Sequence, residues 1–276
     1  MKLDAHQHFW IYNKEEFSWI NDEMKVLRRD FLPEDLNSEL EKKGYDGSLA
    51  VQASQTEQEN IFLLELAEKH RSIKGVVGWV DLQADDVQTK LEKYAENSKL
   101  KGVRHIVQSE PDLEFLLRPK FLKGIGLLKN FNLNYDILIF PQHLKVAAEF
   151  VSKFPDQKFV LDHLAKPYIK NQKISEWEND LKLLASFPHV HAKISGLVTE
   201  ASWSSWKKAD FKPYLEVALE AFGADRLMIG SDWPVCLVAG TYEEVIDLTE
   251  HFISNLSIEE QKKITGENAR KFYNLS

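Results

Sequence analysis

Short apolar or β-branched runs alternate along this chain with longer stretches whose apolar residues recur every three or four positions. Eight runs read as strands: residues 2–9, 47–53, 75–82, 101–108, 134–140, 158–163, 190–196 and 226–233. Two of them contain almost continuously apolar segments, DILIF from Asp136 and RLMIG from Arg226. Strands buried on both faces have this composition, and the strands of a parallel sheet are buried on both faces. Between the runs, helical spacing is kept by Val87, Leu91 and Tyr94, by Leu144, Ala148 and Val151, by Trp177, Leu181 and Leu184, and by Leu215, Leu219 and Phe222. Thr56-x-x-Glu59, Ser175-x-x-Glu178, Thr241-x-x-Glu244 and Ser257-x-x-Glu260 match the capping box, in which a hydroxyl and a carboxylate satisfy otherwise orphaned backbone N–H groups. Gly223 stands where a helix C-cap glycine is expected.

Eight strands alternating with helices predict an α/β fold, a (β/α)8 TIM-type barrel. An open doubly wound sheet is the second reading. It is weaker because neither G-x-G-x-x-G nor G-x-x-x-x-G-K follows any strand. Residues 10–46, after the first strand, and 197–210, after the seventh, form connections longer than a bare helix needs. On a barrel both overhang the C-terminal mouth, where chemistry sits. They carry Trp19, Trp203 and Trp206, more aromatic surface than a solvent-facing loop needs, so they are expected to cover the mouth. No linker or shift of composition divides the chain, and one domain over residues 1–276 is the expectation.

Composition narrows the function. Lys and Arg total 35 against 43 for Asp and Glu, a net charge of −8, without the basic footprint of a nucleic-acid binder. Hydrophobic residues at 43% and charged residues at 28% exclude general disorder. The single cysteine, Cys236, excludes an intrachain disulfide and a cysteine-based zinc site, and it fits a reducing compartment. No apolar stretch approaches the ~18 residues of a membrane span. Asp4, His6 and His8 interrupt any signal-peptide core, so a cytoplasmic protein without a membrane partner is expected.

The candidate chemistry lies at strand ends. His6 and His8 are two apart on the first strand, so both point into the barrel. Two imidazoles in an apolar interior need something that keeps them neutral, most simply a metal ion; the alternative is a pair of hydrogen-bonded core histidines. The sixth strand opens into LDHLAKP with His163, and the eighth into GSDWPV with Asp232. Asp232 is costly to bury without a partner, although an aspartate there also serves as a turn or cap residue. Arg104 and His105 end the fourth strand, where a guanidinium and an imidazole bind a carbonyl or hydroxyl, or else serve the scaffold. Gln52 ends the second strand and is a candidate for sugar hydroxyls. Trp10 and Trp233 flank the mouth, suited to stacking on a ring or to core packing. Lys193 shares one face of the seventh strand with Ser195 and needs a partner, within the barrel or on the substrate.

Taken in order, His6-x-His8, His163 and Asp232 resemble the amidohydrolase superfamily of barrel hydrolases. The chain is similar in more detail to the branch of sugar-lactone hydrolases and their "amidohydrolase 2" relatives. The matching segments are AHQHFW, RRDFLPEDL, VQASQTEQE, GVVGWVDLQ, GVRHIVQ, LDHLAKP, GSDWPV and the GENARKFYNL tail. The resemblance implies a hydrolase whose small-molecule partner is a sugar lactone, a deoxy-aldonolactone such as L-fuconolactone or L-rhamnonolactone. It implies Asp232 as general base for a water positioned by His6, His8 and His163, with Arg104, His105 or a metal at the oxyanion. The fifth strand ends without a histidine and no bridging lysine stands in its usual place. The implied metal is therefore at most one divalent ion, zinc or manganese, at His6, His8 and Asp232, and it is expected to be dispensable. Related metal-dependent decarboxylases and hydrolases of other cyclic esters or amides form the alternative. A non-catalytic sugar-binding barrel is the alternative from another class.

Overall fold

The computed structural model describes residues 1–276 throughout. Eight parallel strands pair in chain order: β1 (Leu3–Gln7), β2 (Gly47–Val51), β3 (Ile73–Gly78), β4 (Leu100–His105), β5 (Asn134–Ile137), β6 (Phe159–Leu161), β7 (Val190–Ile194) and β8 (Leu227–Ile229). Past the end of β8 the chain returns to β1. Asp232 N–H donates to the His6 carbonyl at 2.8 Å, and His8 N–H to the Trp233 carbonyl at 2.7 Å. The barrel thus closes next to the residues of chemical interest.

The outer layer is α1 (Pro33–Lys43), α2 (Glu57–Lys69), α3 (Val87–Ala95), α4 (Pro119–Leu128), α5 (Leu144–Ser152), α6 (Ser175–Ala185), α7 (Lys208–Phe222) and α8 (Tyr242–Ile253). The tail adds α9 (Ile258–Lys262) and α10 (Asn268–Phe272). No helix is long and apolar enough to cross a membrane. Apolar faces of the helices and the outward residues of the strands form one large core. Within the barrel a second, smaller layer joins Leu3, Leu49, Val77, Val160 and Met228 to Tyr273 and Leu275, so the tail stoppers the barrel at the end opposite the mouth.

The strands are shorter than the apolar runs, because pairing stops while burial continues. Leu138 and Ile139, for example, remain buried beyond the end of β5 without extending its ladder. Capping follows the sequence at three of four sites. Thr241 and Ser257 form complete boxes, and Thr56 accepts from Glu59 N–H at 3.2 Å. The Glu59 carboxylate instead accepts from Ala53 N–H and Ser54 N–H, at 2.8 and 2.9 Å, and ties down the turn after β2. Ser175 is a correction: it is the first helical residue of α6, and Ile174 precedes it without a side-chain cap.

These two Ser/Thr sites, alike in sequence, should differ in energy. Thr241→Ala is expected to lower unfolding free energy in urea melts by ~1 kcal/mol, and Ser175→Ala by less than half as much.

Candidate active site

The barrel interior is polar toward the mouth. A register shift in β1 between Asp4 and Gln7 falls where His6 and His8 turn inward. Gly230 makes room for them, since a Cβ there would lie 2.7 Å from the His6 Cβ. Asp4 clamps the turn after β8, accepting from Ser231 N–H at 2.9 Å and Ser231 Oγ–H at 2.6 Å, and so places Asp232. Burial pushes the Asp4 carboxyl up to about 6.

After β6 the chain does something an alternating strand cannot. His163, Leu164, Ala165 and Lys166 all adopt left-handed backbone angles, with φ of 54°, 50°, 58° and 52°. Each such non-glycine residue costs ~1–2 kcal/mol, so the turn must be held by its surroundings. Leu164 and Ala165 are fully buried, and Trp177 Nε1–H donates to the Leu164 carbonyl at 2.8 Å. The effect is that neighbours Asp162 and His163 both face His6. Asp162 Oδ1 lies 3.2 Å from His6 Nδ1, and the His163 and His6 rings are 4.4 Å apart. Gly196, at φ 61°, seats this turn: a Cβ there would lie 2.5 Å from His163 Nδ1 and 2.9 Å from Asp232 Oδ2.

Hydrogen bonding assigns the tautomers. His8 Nδ1 is 2.8 Å from the Val51 carbonyl, which only accepts, so that nitrogen carries the proton. Arg104 NH1 is 3.2 Å from His6 Nε2, and a guanidinium only donates. His6 Nδ1 faces both Lys193 Nζ, at 3.3 Å, and the acceptor Asp162 Oδ1, at 3.2 Å, and with Nε2 turned to Arg104 the proton is assigned to Nδ1, toward Asp162. Both Nε2 lone pairs then face each other at 3.3 Å, with Asp232 Oδ1 3.2 Å from His8 Nε2 and 3.8 Å from His6 Nε2. Three acceptors converge with no proton assigned between them. Two neutral imidazoles and a carboxylate at this spacing fit one divalent cation such as zinc, which would take the His6 Nε2 lone pair that now meets Arg104 NH1.

Burial alone would raise the Asp232 carboxyl. His163, His8 and His6 outweigh it and hold the group ionised, well below the usual carboxylate range. Burial brings the His163 imidazole down to about 4, so it is neutral near pH 7, with Nδ1 2.9 Å from Ser195 Oγ.

Above these groups is a cavity of about 310 Å³ lined by His8, Arg104, His163, Lys166, Glu200 and Asp232, among others. Trp19 and Met24 from the connection after β1, and Thr199 and Trp203 from the one after β7, also line it, so both long connections lie at the mouth. A larger groove of about 830 Å³ beside Tyr168 and Trp177 contains none of the clustered groups, and the chemistry selects the smaller cavity.

Of the residues singled out in the sequence, the structure brings together His6, His8, Arg104, His163 and Asp232. Four others lie elsewhere. His105 points out of β4, pairs with Glu110 at 2.7 Å and stacks on Phe115 at 4.6 Å, because its neighbour Arg104 takes the inward position. Gln52 is fully buried and accepts from Arg104 through its carbonyl and through Oε1, at 2.9 Å for the latter. Trp10 is buried against Phe17 and Phe31, and Trp233 against Phe9 and Phe31. Both tryptophans support the mouth from behind. Asp162, Lys166 and Glu200 were given no role by sequence reasoning. For Asp162 the signal was its place in LDHLAKP, masked by the strand rule that sets it opposite His163.

The chain belongs to the amidohydrolase family: the family profile described as Amidohydrolase matches residues 3–275. It is 38% identical, over all of its length and 96% of the relative's, to L-fucono-1,5-lactonase of Burkholderia multivorans. It is 34% identical to the L-fucono-1,5-lactonase of Burkholderia ambifaria, over 87% of this chain and 83% of the relative. A crystal structure of an amidohydrolase from Burkholderia multivorans with bound zinc superposes with a TM-score of 0.97, at 38% identity and full coverage of both chains.

Arg104 is the cation that reaches both the buried cluster and the cavity. Arg104→Ala is expected to lower kcat/KM by at least ~10²-fold, through loss of a charge-assisted hydrogen bond worth roughly 3 kcal/mol. A change of about tenfold or less in steady-state assays would make Arg104 a scaffold residue only.

Proposed function

We propose that this protein hydrolyses a sugar lactone, with a deoxy-aldonolactone of the L-fuconolactone type as the favoured substrate class. The observation that carries the reading is a buried Asp232 beside His8 and His163 on the wall of a cavity that also presents a guanidinium, with His6 buried beneath them. The volume of about 310 Å³ sits at the small end of the ~300–1,000 Å³ range of ligand sites, a size suited to a monosaccharide. The relatives named L-fucono-1,5-lactonase support the same substrate class.

Asp232 takes a proton from a water positioned by His6, His8 and His163, and the oxygen of that water attacks the lactone carbonyl. The Arg104 guanidinium, whose N–H groups are taken up by His6, Asp162 and Gln52, lines the cavity and brings its positive charge to bear on the oxygen on which charge develops. As the ring C–O bond breaks, Asp232 returns its proton to the departing ring oxygen, and the product is the open hydroxy acid. A carboxylate held this strongly in its ionised form is always ready to accept a proton but is a weak base. The reaction tolerates this because a lactone is an activated ester whose alkoxide leaves readily. A zinc ion on His6, His8 and Asp232 would supply Lewis-acid polarisation and lower the pKa of a bound water. Lys166 and Glu200, which also line the cavity, take the sugar hydroxyls in this reading.

Acid release from a panel of aldonolactones tests the substrate class. A protein that opens none of them is not a sugar lactonase. Dialysis against a strong chelator is expected to leave most of the activity, whereas Asp232→Asn abolishes turnover in chelated and zinc-loaded protein alike while retaining ligand affinity. Loss of activity on chelation, restored by one equivalent of divalent metal, would overturn the dispensable-metal reading. Unchanged turnover in Asp232→Asn would contradict the role of the carboxylate.

A further inference from the structure

The groups that face the cavity are the upper end of a polar chain that runs down the barrel. Beneath His6, Lys193 Nζ lies 3.3 Å from His6 Nδ1, 3.0 Å from Asp162 Oδ1 and 2.5 Å from Asp136 Oδ2. Beneath Asp136 the chain ends on Tyr273, whose hydroxyl stands 2.9 and 2.8 Å from the two carboxylate oxygens. Tyr273 follows α10 directly and is 1% exposed; Asp136, Lys193, Asp162 and His6 are fully buried.

Two features set this apart from ordinary packing. The Tyr273 ring already lies in the apolar layer with Leu3, Leu49, Val77 and Met228, so a phenylalanine would pack equally well. What the hydroxyl adds is its contact with Asp136. Second, buried ion pairs are commonly no more stabilising than apolar side chains of similar volume, so a Lys193 held between two carboxylates calls for a reason other than stability. The reason lies at the upper end: the cluster sets which way the His6 ring faces. His6 Nδ1 faces Asp162 Oδ1 at 3.2 Å, and Asp162 is held in place by Arg104 on one side and Lys193 on the other.

We propose that Tyr273 is a positioning residue for the active site. The C-terminal tail, entering the barrel from the end opposite the substrate, orients Asp136. Through Lys193 and Asp162 it holds His6 with its Nε2 lone pair toward the cavity. This inference rests on the lactonase reading for its kinetic readout alone. Removing the hydroxyl frees Asp136 to rotate, Lys193 follows it away from Asp162, and the His6 ring loses its fixed direction. Substrate contacts in the cavity are untouched, so the loss falls on kcat.

The test is Tyr273→Phe and, independently, Asp136→Asn, each assayed on the full chain with the lactone that wild type hydrolyses best. Each is also labelled with ¹⁵N-histidine to read the two ring nitrogens of His6 on the protein as purified. Loss of such a partner is expected to lower kcat by about 10- to 100-fold with KM within about twofold, Tyr273→Phe keeping the melting transition and Asp136→Asn lowering it but staying folded at the assay temperature. The His6 pattern should move from a single Nδ1–H form to a mixture of tautomers. The proposal is overturned if either folded variant keeps kcat within about twofold, if the loss appears in KM instead, or if the His6 nitrogen signals stay as in wild type. If Tyr273→Phe does not fold, Asp136→Asn decides by the same criteria. If wild type opens no lactone, the functional reading has failed, and the His6 signals alone decide the inference.

Discussion

One carboxylate holds the interior of this barrel together. Asp162 is fully buried, yet Arg104 NH1 lies 2.9 Å from Oδ2, while Lys193 Nζ and His6 Nδ1 lie 3.0 and 3.2 Å from Oδ1. Burial alone would drive its proton on; Lys193, His6 and Arg104 outweigh that and keep it well below the usual carboxylate range. With Asp136 as the second partner of Lys193, two basic side chains meet two carboxylates out of contact with water. Taking any one of them away would leave a charge buried without its partner, a loss of ~3–5 kcal/mol in known cases. The rest of the site is arranged from this point. Asp162 fixes the proton on His6, and Arg104 reaches from it toward the cavity.

The fold supplies what such a cluster needs. Parallel strands aim side chains from β1, β4, β5 and β7 at one axis, and apolar layers on both sides of the sheet keep water from them. Regular strands cannot turn two consecutive residues to the same side, and the barrel departs from regularity where that is required. The left-handed run from His163 to Lys166, which follows Asp162, falls at such a place. Asp232 itself is left-handed, at φ 58°, so the two strand ends that carry Asp232 and His163 both store backbone strain. Strain of this kind persists only where the surroundings over-determine it, and it gathers at functional sites.

Sequence reasoning reached the architecture because its signal is repeated: eight apolar runs and the helical spacing between them all require the same barrel. It singled out His6 and His8 because alternation puts residues two apart on one face, and His163, Asp232 and Arg104 because they stand where apolar runs open into the mouth. It stopped where alternation stops. His105 and Arg104 are neighbours on β4, and a regular strand sends only one of them inward; Arg104 takes that position. Asp162 and His163 are also neighbours, and there the left-handed turn sends both to the site, which no residue type in the segment announces. Glycine would have been such a sign, but Leu164 and Ala165 occupy the turn. Trp10 and Trp233 face the same difficulty in another form, since a tryptophan that stacks on a ligand and one that props a loop from behind look alike in a sequence. Tyr273 lies more than a hundred residues from Asp136, and only the closed barrel brings them together.

The most direct measurement is made at the shared carboxylate itself. Asp162→Asn keeps the shape of the side chain and removes its charge, leaving Arg104 and Lys193 without their common partner. Steady-state kinetics well below the melting temperature should then give a kcat/KM lowered by at least ~10²-fold, because both the proton on His6 and the direction of Arg104 depend on that charge. An Asp162→Asn protein that is folded and retains kcat/KM within about tenfold of wild type would contradict the account, since the cluster would then be scaffold and the chemistry independent of it.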